Sequence, residues 1–190
     1  MWLKTIPYIP NDITNAKIKG SHQVILDYRK KLKSDSINEA RRLAVSDIGN
    51  FSKRDLFMLG LGIYMGEGSK TVGLRLANSD PSIIKIGITW FKKTYDLTDE
   101  NFIVRINLYP DCNIGESIKY WSDITGLKLS QFYPVYVDRR LNKKIRNTRK
   151  LLFGTAHVTI LSGNKRQFGI LLRRRILSSI EILGNKAGLV

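Results

Sequence analysis

The stretch LGLGIYMGEGSK, residues 59–70, places three glycines inside an apolar run that otherwise has a helical pattern. Each glycine inside a helix costs about 1 kcal/mol relative to alanine, so this many glycines require a structural reason. Gly62 and Gly66 are four residues apart and therefore lie on the same helix face. A face without side chains lets a second backbone approach closely. We therefore expect this helix to pack tightly against a partner helix.

The residues that flank this run predict where the helix begins and ends. Ser52 and Asp55 have the spacing of a capping box, which marks a helix start near residue 53. Gly68 is a suitable C-terminal cap, so that the helix is expected to run to Glu67. A carboxylate in the last turn lies at the negative end of the helix dipole, where it is disfavoured. A cation bound to Glu67 would offset this cost.

Two copies of this helix, related by two-fold symmetry, would bring two Glu67 carboxylates together. Because Mg²⁺ is commonly bound by one or two carboxylates plus substrate phosphates, this arrangement suits a divalent metal over a phosphodiester. Two other interpretations remain open. In the first, Glu67 is a solvated acid near Lys70 and the glycines pack against the core of the same chain. In the second, the glycines cradle a phosphate, although the run lacks the spacing and preceding strand of a P-loop.

The charge of the chain points to an anionic partner. The 190 residues include 32 Lys and Arg against 16 Asp and Glu, a formal net charge of +16, which favours a nucleic acid. The longest apolar run, residues 56–65, is too short to span a bilayer, and the N-terminus lacks the apolar core of a secretory signal. We expect an intracellular protein of the cytoplasm, nucleoid or an organelle, with no membrane partner.

The hydrophobic periodicity predicts an α+β fold with helices on one face of a sheet. Residues 1–20 are expected to be irregular, and the helical pattern of residues 21–45 is expected to split at the polar segment KSDS, residues 33–36. The predicted strands cover residues 72–78, 101–109, 131–138 and 155–162, and the later helices begin at residues 79–81, 114 and 165. Pro134 restricts the third strand to a sheet edge or a bulge.

Alternation along the strands selects residues that would face a nucleic acid from the free side of the sheet: Arg75, Arg105, Asn107, His157 and Thr159. The two arginines suit guanine edges in the major groove, and a merely solvated sheet face is the alternative. A second set lies in the basic segment of residues 139–150 and is expected to contact phosphates. It consists of Arg139, Arg140, Lys143, Lys144, Arg146, Arg149 and Lys150.

The segment GLGIYMGEG, residues 60–68, resembles the signature of the LAGLIDADG homing endonucleases. Glu67 stands at the second, metal-binding acid of the motif, and Met65 replaces the first acid. The small positions of the motif are matched by Gly62, Gly66 and Gly68. Three later segments are similar to LAGLIDADG-like proteins of prokaryotes: ANSDP at residues 77–81, YWSDITG at 120–126 and QFYPV at 131–135.

The resemblance implies an αββαββα core that forms a saddle-shaped antiparallel sheet over double-stranded DNA. It places this core in a domain of residues 51–190, with an insertion at about residues 111–150 and an N-terminal helical extension of residues 1–50. A chain with one motif implies a homodimer, whose interface would include Leu59, Gly62, Ile63 and Gly66. The implied activity is a metal-dependent double-strand cut, with Mg²⁺ or Mn²⁺ held at Glu67 and Gly66.

The resemblance also implies catalytic support for Glu67 from a basic and a polar residue near the ends of the sheet. Lys186 and Asn78 are the candidates, with simple exposure of Lys186 and helix capping by Asn78 as the alternatives. Lys70, directly after the motif, joins the expected DNA-binding residues. A second function on the same scaffold stays open, namely a non-cleaving DNA-binding regulator or an RNA maturase in which Glu67 is structural or vestigial.

Overall fold

The computed structural model describes residues 11–71, 73–138 and 151–188. The chain divides into two compact units, residues 1–51 and residues 52–190. The predicted α+β class is confirmed, because the described residues form five α-helices and one four-stranded sheet.

The first unit consists, in its described part, of the helix α1 (Asp12–Ile48). Asn11 caps its start, where its Oδ1 accepts a hydrogen bond from the Thr14 N–H at 2.9 Å. The expected irregular structure is wrong for residues 12–20, which belong to α1, and the expected break at residues 33–36 is wrong as well. Residues 1–10 lie outside the described residues. The segment KSDS contains neither glycine nor proline, so its polar side chains lower helix propensity only slightly and leave the backbone hydrogen bonds intact.

The second unit contains the other helices and the sheet. The helices are α2 (Lys53–Glu67), α3 (Pro81–Tyr95), α4 (Ile114–Thr125) and α5 (Ile170–Lys186). The strands are β1 (Arg75–Asn78), β2 (Phe102–Leu108), β3 (Val135–Val137) and β4 (Thr155–Ile160). The last helix begins later than predicted, because a 3₁₀ turn over Arg166–Phe168 precedes it.

The strand order in the sheet is β1-β4-β2-β3. β4 pairs antiparallel with both β1 and β2, whereas β2 and β3 are parallel. The prediction of an antiparallel sheet is therefore wrong for β3. Its reason is the connection through α4, since a helical crossover returns the chain in the direction of the preceding strand. β3 lies at an edge of the sheet, one of the two positions expected from Pro134, which directly precedes the strand.

One face of the sheet forms the core. Val104 and Ile106 of β2 and Val158 of β4 are fully buried there. The helices complete this core with large apolar side chains, which include Tyr64, Ile84, Trp90, Phe91, Trp121 and Ile176. Since successive strand residues point to opposite faces, the polar residues between the buried ones lie together on the other face.

The two ends of α2 are held as the sequence predicts. Ser52 and Asp55 form the capping box: the Asp55 N–H donates to Ser52 Oγ at 3.2 Å, and the Ser52 N–H donates to Asp55 Oδ2 at 2.8 Å. At the other end, the Gly68 N–H donates to the Tyr64 carbonyl at 2.8 Å. Gly68 also forms an isolated antiparallel bridge with Leu76 of β1. The end of α2 is thus attached to the sheet at β1.

Candidate nucleic-acid interface

The five strand residues selected from the sequence lie on one face of the sheet. In the register of the strands, Arg105 is opposite His157, and Thr159 is opposite Arg75. Asn107 is opposite Thr155, two residues from His157 on the same face of β4. Directly opposed residues project from the same side of a sheet. We call this side, which carries Arg75, Arg105, Asn107, His157 and Thr159, the open sheet face.

His157 lies in the middle of the open sheet face and is half-buried. Its partial burial lowers its pKa below the ordinary value, and the nearby charges of Arg105 and Arg75 lower it further. The imidazole is therefore neutral at neutral pH. Its Nε2 lies 2.9 Å from Nδ2 of Asn107. With the amide nitrogen of Asn107 turned toward the ring, Nε2 accepts this hydrogen bond, and the neutral imidazole then carries its proton on Nδ1.

A cavity of about 270 Å³ opens beside this pair, where β2, β3 and β4 meet. Tyr136 of β3 is opposite Asn107 and is more than half exposed, and Asp138 is buried. The Oδ1 atom of Asn107 is buried and has no hydrogen-bond partner among the described residues. The cavity therefore combines an aromatic wall with polar groups. Sequence reasoning did not select Tyr136, although the alternation in VYV would have placed it on this face.

The glycines of α2 have different environments. A Cβ atom on Gly60 would overlap the indole ring of Trp90 on α3, so Gly60 allows α2 and α3 to pack closely. Gly62 and Gly66 are exposed, and no described atom lies within 4 Å of the position that a Cβ would take. Packing against the core of the same chain, one of the alternatives left open by the sequence, therefore holds for Gly60 and fails for Gly62 and Gly66.

Gly62 and Gly66 belong to a stripe along the outer side of α2. Leu59, which is 41% exposed, and the partly buried Ile63 share this stripe at helical spacing. We call the surface formed by Leu59, Gly62, Ile63 and Gly66 the glycine face. It offers bare backbone flanked by apolar side chains, and no described residue of the second unit covers the two glycines.

Glu67 is the last residue of α2 and is exposed at the end of the glycine face. Lys70 does not neutralise it: the Lys70 ammonium donates to the main-chain carbonyl of Met65 at 2.6 Å. Within the described residues Glu67 forms no ion pair. The carboxylate is thus accessible to a cation from outside the protomer.

The segment that follows Glu67 is held by side chains from two helices. The Tyr64 hydroxyl donates to the carbonyl of Ser69 at 2.8 Å. The Arg173 guanidinium of α5 donates to the carbonyls of Lys70 and Thr71 at 2.5 and 2.9 Å. These bonds order the turn that leads from α2 to β1 and so restrict the end of the helix where Glu67 lies.

The donor groups at the end of α2 fit half of a divalent-metal site. No cluster of three or more His, Cys, Asp and Glu side chains occurs in the described part of the chain. One protomer therefore offers Glu67 and the nearby backbone carbonyl of Gly66. Mg²⁺ is commonly held by one or two carboxylates together with water and substrate phosphates. A second Glu67, from another copy, would complete such a donor set.

The two other catalytic candidates belong to different elements of the fold. Asn78 ends β1, where its Oδ1 accepts a hydrogen bond from the Asp80 N–H at 2.7 Å. Asp80 in turn caps α3, so Asn78 shapes the turn into that helix. Lys186 is the exposed last residue of α5. No described hydrogen bond or ion pair joins either side chain to Glu67.

The basic segment expected to contact phosphates, residues 139–150, lies outside the described residues. Sequence reasoning missed another basic region. Lys165, Arg166 and Arg174 line an open cavity of about 550 Å³ where the chain passes from β4 to α5. The signal for it was present in NKRQF, residues 164–168, whose two adjacent cations directly follow a predicted strand.

No protein-family model, curated protein or solved structure matches this chain. None of the helices over residues 11–71, 73–138 and 151–188 combines the length and apolar content needed to cross a membrane. What the protein does must therefore be inferred from its residues and their geometry.

Proposed function

We propose that this protein is a site-specific DNA-binding protein of the LAGLIDADG homing-endonuclease type, which acts as a homodimer and makes a metal-dependent double-strand cut. The observation that carries the proposal is the uncovered glycine face of α2, which ends at the exposed carboxylate of Glu67. Nothing described in the second unit accounts for Gly62 and Gly66, since neither has a neighbour there that a side chain would displace.

The order of elements supports the proposed αββαββα core. The bridge residue Gly68 takes the place of the first core strand, and β1, α3 and β2 follow as strand, helix and strand. β4 pairs antiparallel with β2 as the fourth strand would, and α5 closes the core. In this scheme α4 and the parallel strand β3 belong to the insertion of residues 111–150.

The glycine face supports the proposed dimer. Two copies of α2 that cross at Gly62 and Gly66 bring their backbones close and remove Leu59 and Ile63 from water. A two-fold axis through this contact makes the surface complementary to itself. It also brings the two Glu67 residues to the same end of the helix pair.

The open sheet face supports the proposed DNA contact. Arg75 and Arg105 are exposed there. Among the described residues, one acid lines the cavity beside this face, Asp138, and it is buried. The net charge of +16 attracts a polyanion to the whole chain. Arginines on such a face can donate two hydrogen bonds to a guanine edge or one or two to a phosphate.

The chemistry would take place between the two Glu67 carboxylates. Glu67 and the Gly66 carbonyl of each subunit would hold a divalent ion, which when bound stabilises the attacking and leaving oxygens of the phosphodiester. The chain's own contribution is positioning: the Tyr64 and Arg173 hydrogen bonds fix the segment after Glu67, and the cations of the sheet hold the duplex in place.

One observation favours the alternative of binding without cleavage. Met65, at the position of the first motif acid, is 53% exposed and supplies no carboxylate. Each subunit then brings one acid instead of two to the helix end. A DNA-binding regulator or an RNA maturase needs the same dimer and the same basic surface, but it does not need Glu67.

Cleavage of a selected DNA target distinguishes the endonuclease from the non-cleaving DNA-binding protein. Duplexes that the dimer retains from a randomised library in EDTA are sequenced, and the enriched duplex is incubated with Mg²⁺ or with EDTA. The endonuclease cuts both strands in Mg²⁺ only, and Glu67→Gln reduces the rate by at least about 100-fold while the duplex stays bound. Glu116→Gln, a change of an exposed acid on α4, retains wild-type cleavage. An enriched duplex that stays intact in Mg²⁺ and Mn²⁺ assigns the protein to the non-cleaving class.

A further inference from the structure

His157 is surrounded by groups from every strand that packs beside it. It is opposite Ala77 of β1 and Arg105 of β2, and Thr155 and Thr159 flank it on its own strand. Among the described residues, the titratable and charged groups near it on the open sheet face and its cavity are Arg75 of β1, Arg105 of β2, Tyr109 after β2, Tyr136 of β3 and Asp138 after β3. Two of these groups carry a permanent positive charge near the imidazole.

Three features keep the imidazole neutral in the free protein. Partial burial lowers its pKa, and Arg105 and Arg75 lower it further by charge repulsion. The third feature is the hydrogen bond from Asn107 Nδ2 to Nε2, at 2.9 Å. A proton added at Nε2 would meet the hydrogens of that amide, so protonation requires Asn107 to turn.

Asn107 has an acceptor available for the protonated ring. Its Oδ1 is buried without a hydrogen-bond partner among the described residues, and such an atom is unfavourable in a folded protein. Rotation of the amide by half a turn points Oδ1 at Nε2, where it accepts the added proton's hydrogen bond. The Nδ1–H group of the ring then remains free to donate to a ligand in front of the sheet.

A phosphodiester over this face would reverse the balance. Its negative charge offsets Arg75 and Arg105, and its oxygens accept from Nδ1–H, so both effects favour the charged imidazolium. We propose that His157 is a phosphate-binding residue that takes up one proton when a nucleic acid covers the open sheet face. This inference rests on the proposed function, since it requires a nucleic acid on that face.

The proton comes from solvent and adds to the lone pair of Nε2, so one proton per subunit disappears from the buffer on binding. Affinity must then increase as the pH falls below the pKa of His157 in the complex. By linkage the increase is at most about tenfold per pH unit for each subunit. The increase in affinity ends below the pKa that His157 has in the free protein, because the ring is already charged there.

The test is isothermal titration calorimetry of the full chain with a mixed-sequence DNA duplex at low salt, near neutral pH. Buffers that differ in ionisation enthalpy report the number of protons taken up. The chain has two histidines, and His22 on the exposed helix α1 provides the matched control. We expect uptake of about one proton per subunit in the wild type and in His22→Gln, and its loss in His157→Gln with the duplex still bound.

A second measurement uses the wild type alone and therefore does not require any variant to fold. An NMR titration of the two imidazoles in the wild type follows each pKa with and without the duplex. The pKa of His157 is expected below the ordinary histidine value in the free protein and is expected to rise when duplex is added. A His157 pKa that the duplex leaves unchanged overturns the inference.

The outcomes separate this inference from the function beneath it. Duplex binding without proton uptake overturns the role of His157 and leaves the proposed DNA-binding function standing. Proton uptake that persists in His157→Gln likewise overturns it, because the proton then goes elsewhere. Absence of duplex binding at every pH removes the proposed function, and with it the ligand that this inference requires.

Discussion

Gly60 and Gly62 are two residues apart on α2 and serve different neighbours. Gly60 lies against the Trp90 ring inside the protomer, whereas Gly62 has no described atom within 4 Å of a Cβ position. Sequence reasoning could identify the glycines and their spacing. It could not separate their roles, because the contact with Trp90 joins residues thirty positions apart and depends on how α3 docks.

Replacement of these glycines by alanine is expected to have opposite effects on the protomer. Gly60→Ala should lower the free energy of unfolding by about 2 kcal/mol, because its methyl group would force the Trp90 ring out of place. Gly62→Ala should leave it unchanged or raise it by up to about 1 kcal/mol, since alanine has the higher helix propensity. Urea denaturation at protein concentrations too low for dimerisation measures both. Equal losses in the two variants would contradict the assignment.

The pKa of His157 predicts how stability depends on pH. Because the folded state lowers this pKa, the unfolded chain binds the proton more readily. The free energy of unfolding should therefore fall as the pH decreases through the unfolded-state value of about 6.5 and level off below the folded-state pKa.

His157→Gln should remove this decrease, and His22→Gln should retain it. Thermal unfolding between about pH 5 and pH 8 shows the difference. The capping carboxylate Asp55, whose pKa is lowered by its hydrogen bonds to Ser52, acts in a different window. Its contribution is lost only as the pH falls below the ordinary range of an aspartate, so the two effects are distinguishable. A steady decrease in His157→Gln would show that another group is responsible.

At the level of elements, local signals were reliable and long-range ones were not. The capping box of α2 follows from Ser52 and Asp55, and Pro134, directly before β3, indicated an edge or a bulge. The parallel direction of β3 and the continuity of α1 could not be predicted from single residues. The first depends on a crossover through α4, and the second on a polar segment without a helix breaker.

The candidate site divides in the same way. Strand alternation was sufficient to select five residues that prove to share one face. The hydrogen bond between Asn107 and His157 joins residues fifty positions apart, and no local pattern indicates it. The cations at Lys165 and Arg166 were visible in the sequence, but only the cavity that they line shows them to be grouped.

The glycine face predicts a specific effect on assembly. Gly62→Leu places a bulky side chain on the surface where two copies of α2 would cross, so the dissociation constant of the dimer should rise at least about tenfold. Gly20→Leu is the matched control, because Gly20 is also a helical glycine with no described atom near its Cβ position. Sedimentation velocity over a concentration series measures both. A wild-type chain that stays monomeric throughout would rule out this interface.

At the level of the whole molecule, the charge of +16 makes the salt dependence of binding informative. Each phosphate contact adds about one to the slope of log affinity against log salt. Arg75→Gln and Arg105→Gln should each reduce the slope by about one. Lys93→Gln, a change of an exposed cation on α3, should leave it unchanged. Filter binding at several salt concentrations provides the slopes. Equal slopes for the three variants would show that the duplex does not bind at the open sheet face.

The two sides of α2 can be altered independently. Gly60 packs its inner side against Trp90, whereas Gly62 and Gly66 on the outer side contact no described atom of the second unit. Charged or size-matched substitutions on the outer side alone could yield two versions of the chain that associate with each other and reject themselves. Each version could then carry its own set of arginines on the sheet. A designer would in this way obtain an asymmetric reader of non-palindromic sites from one parent scaffold.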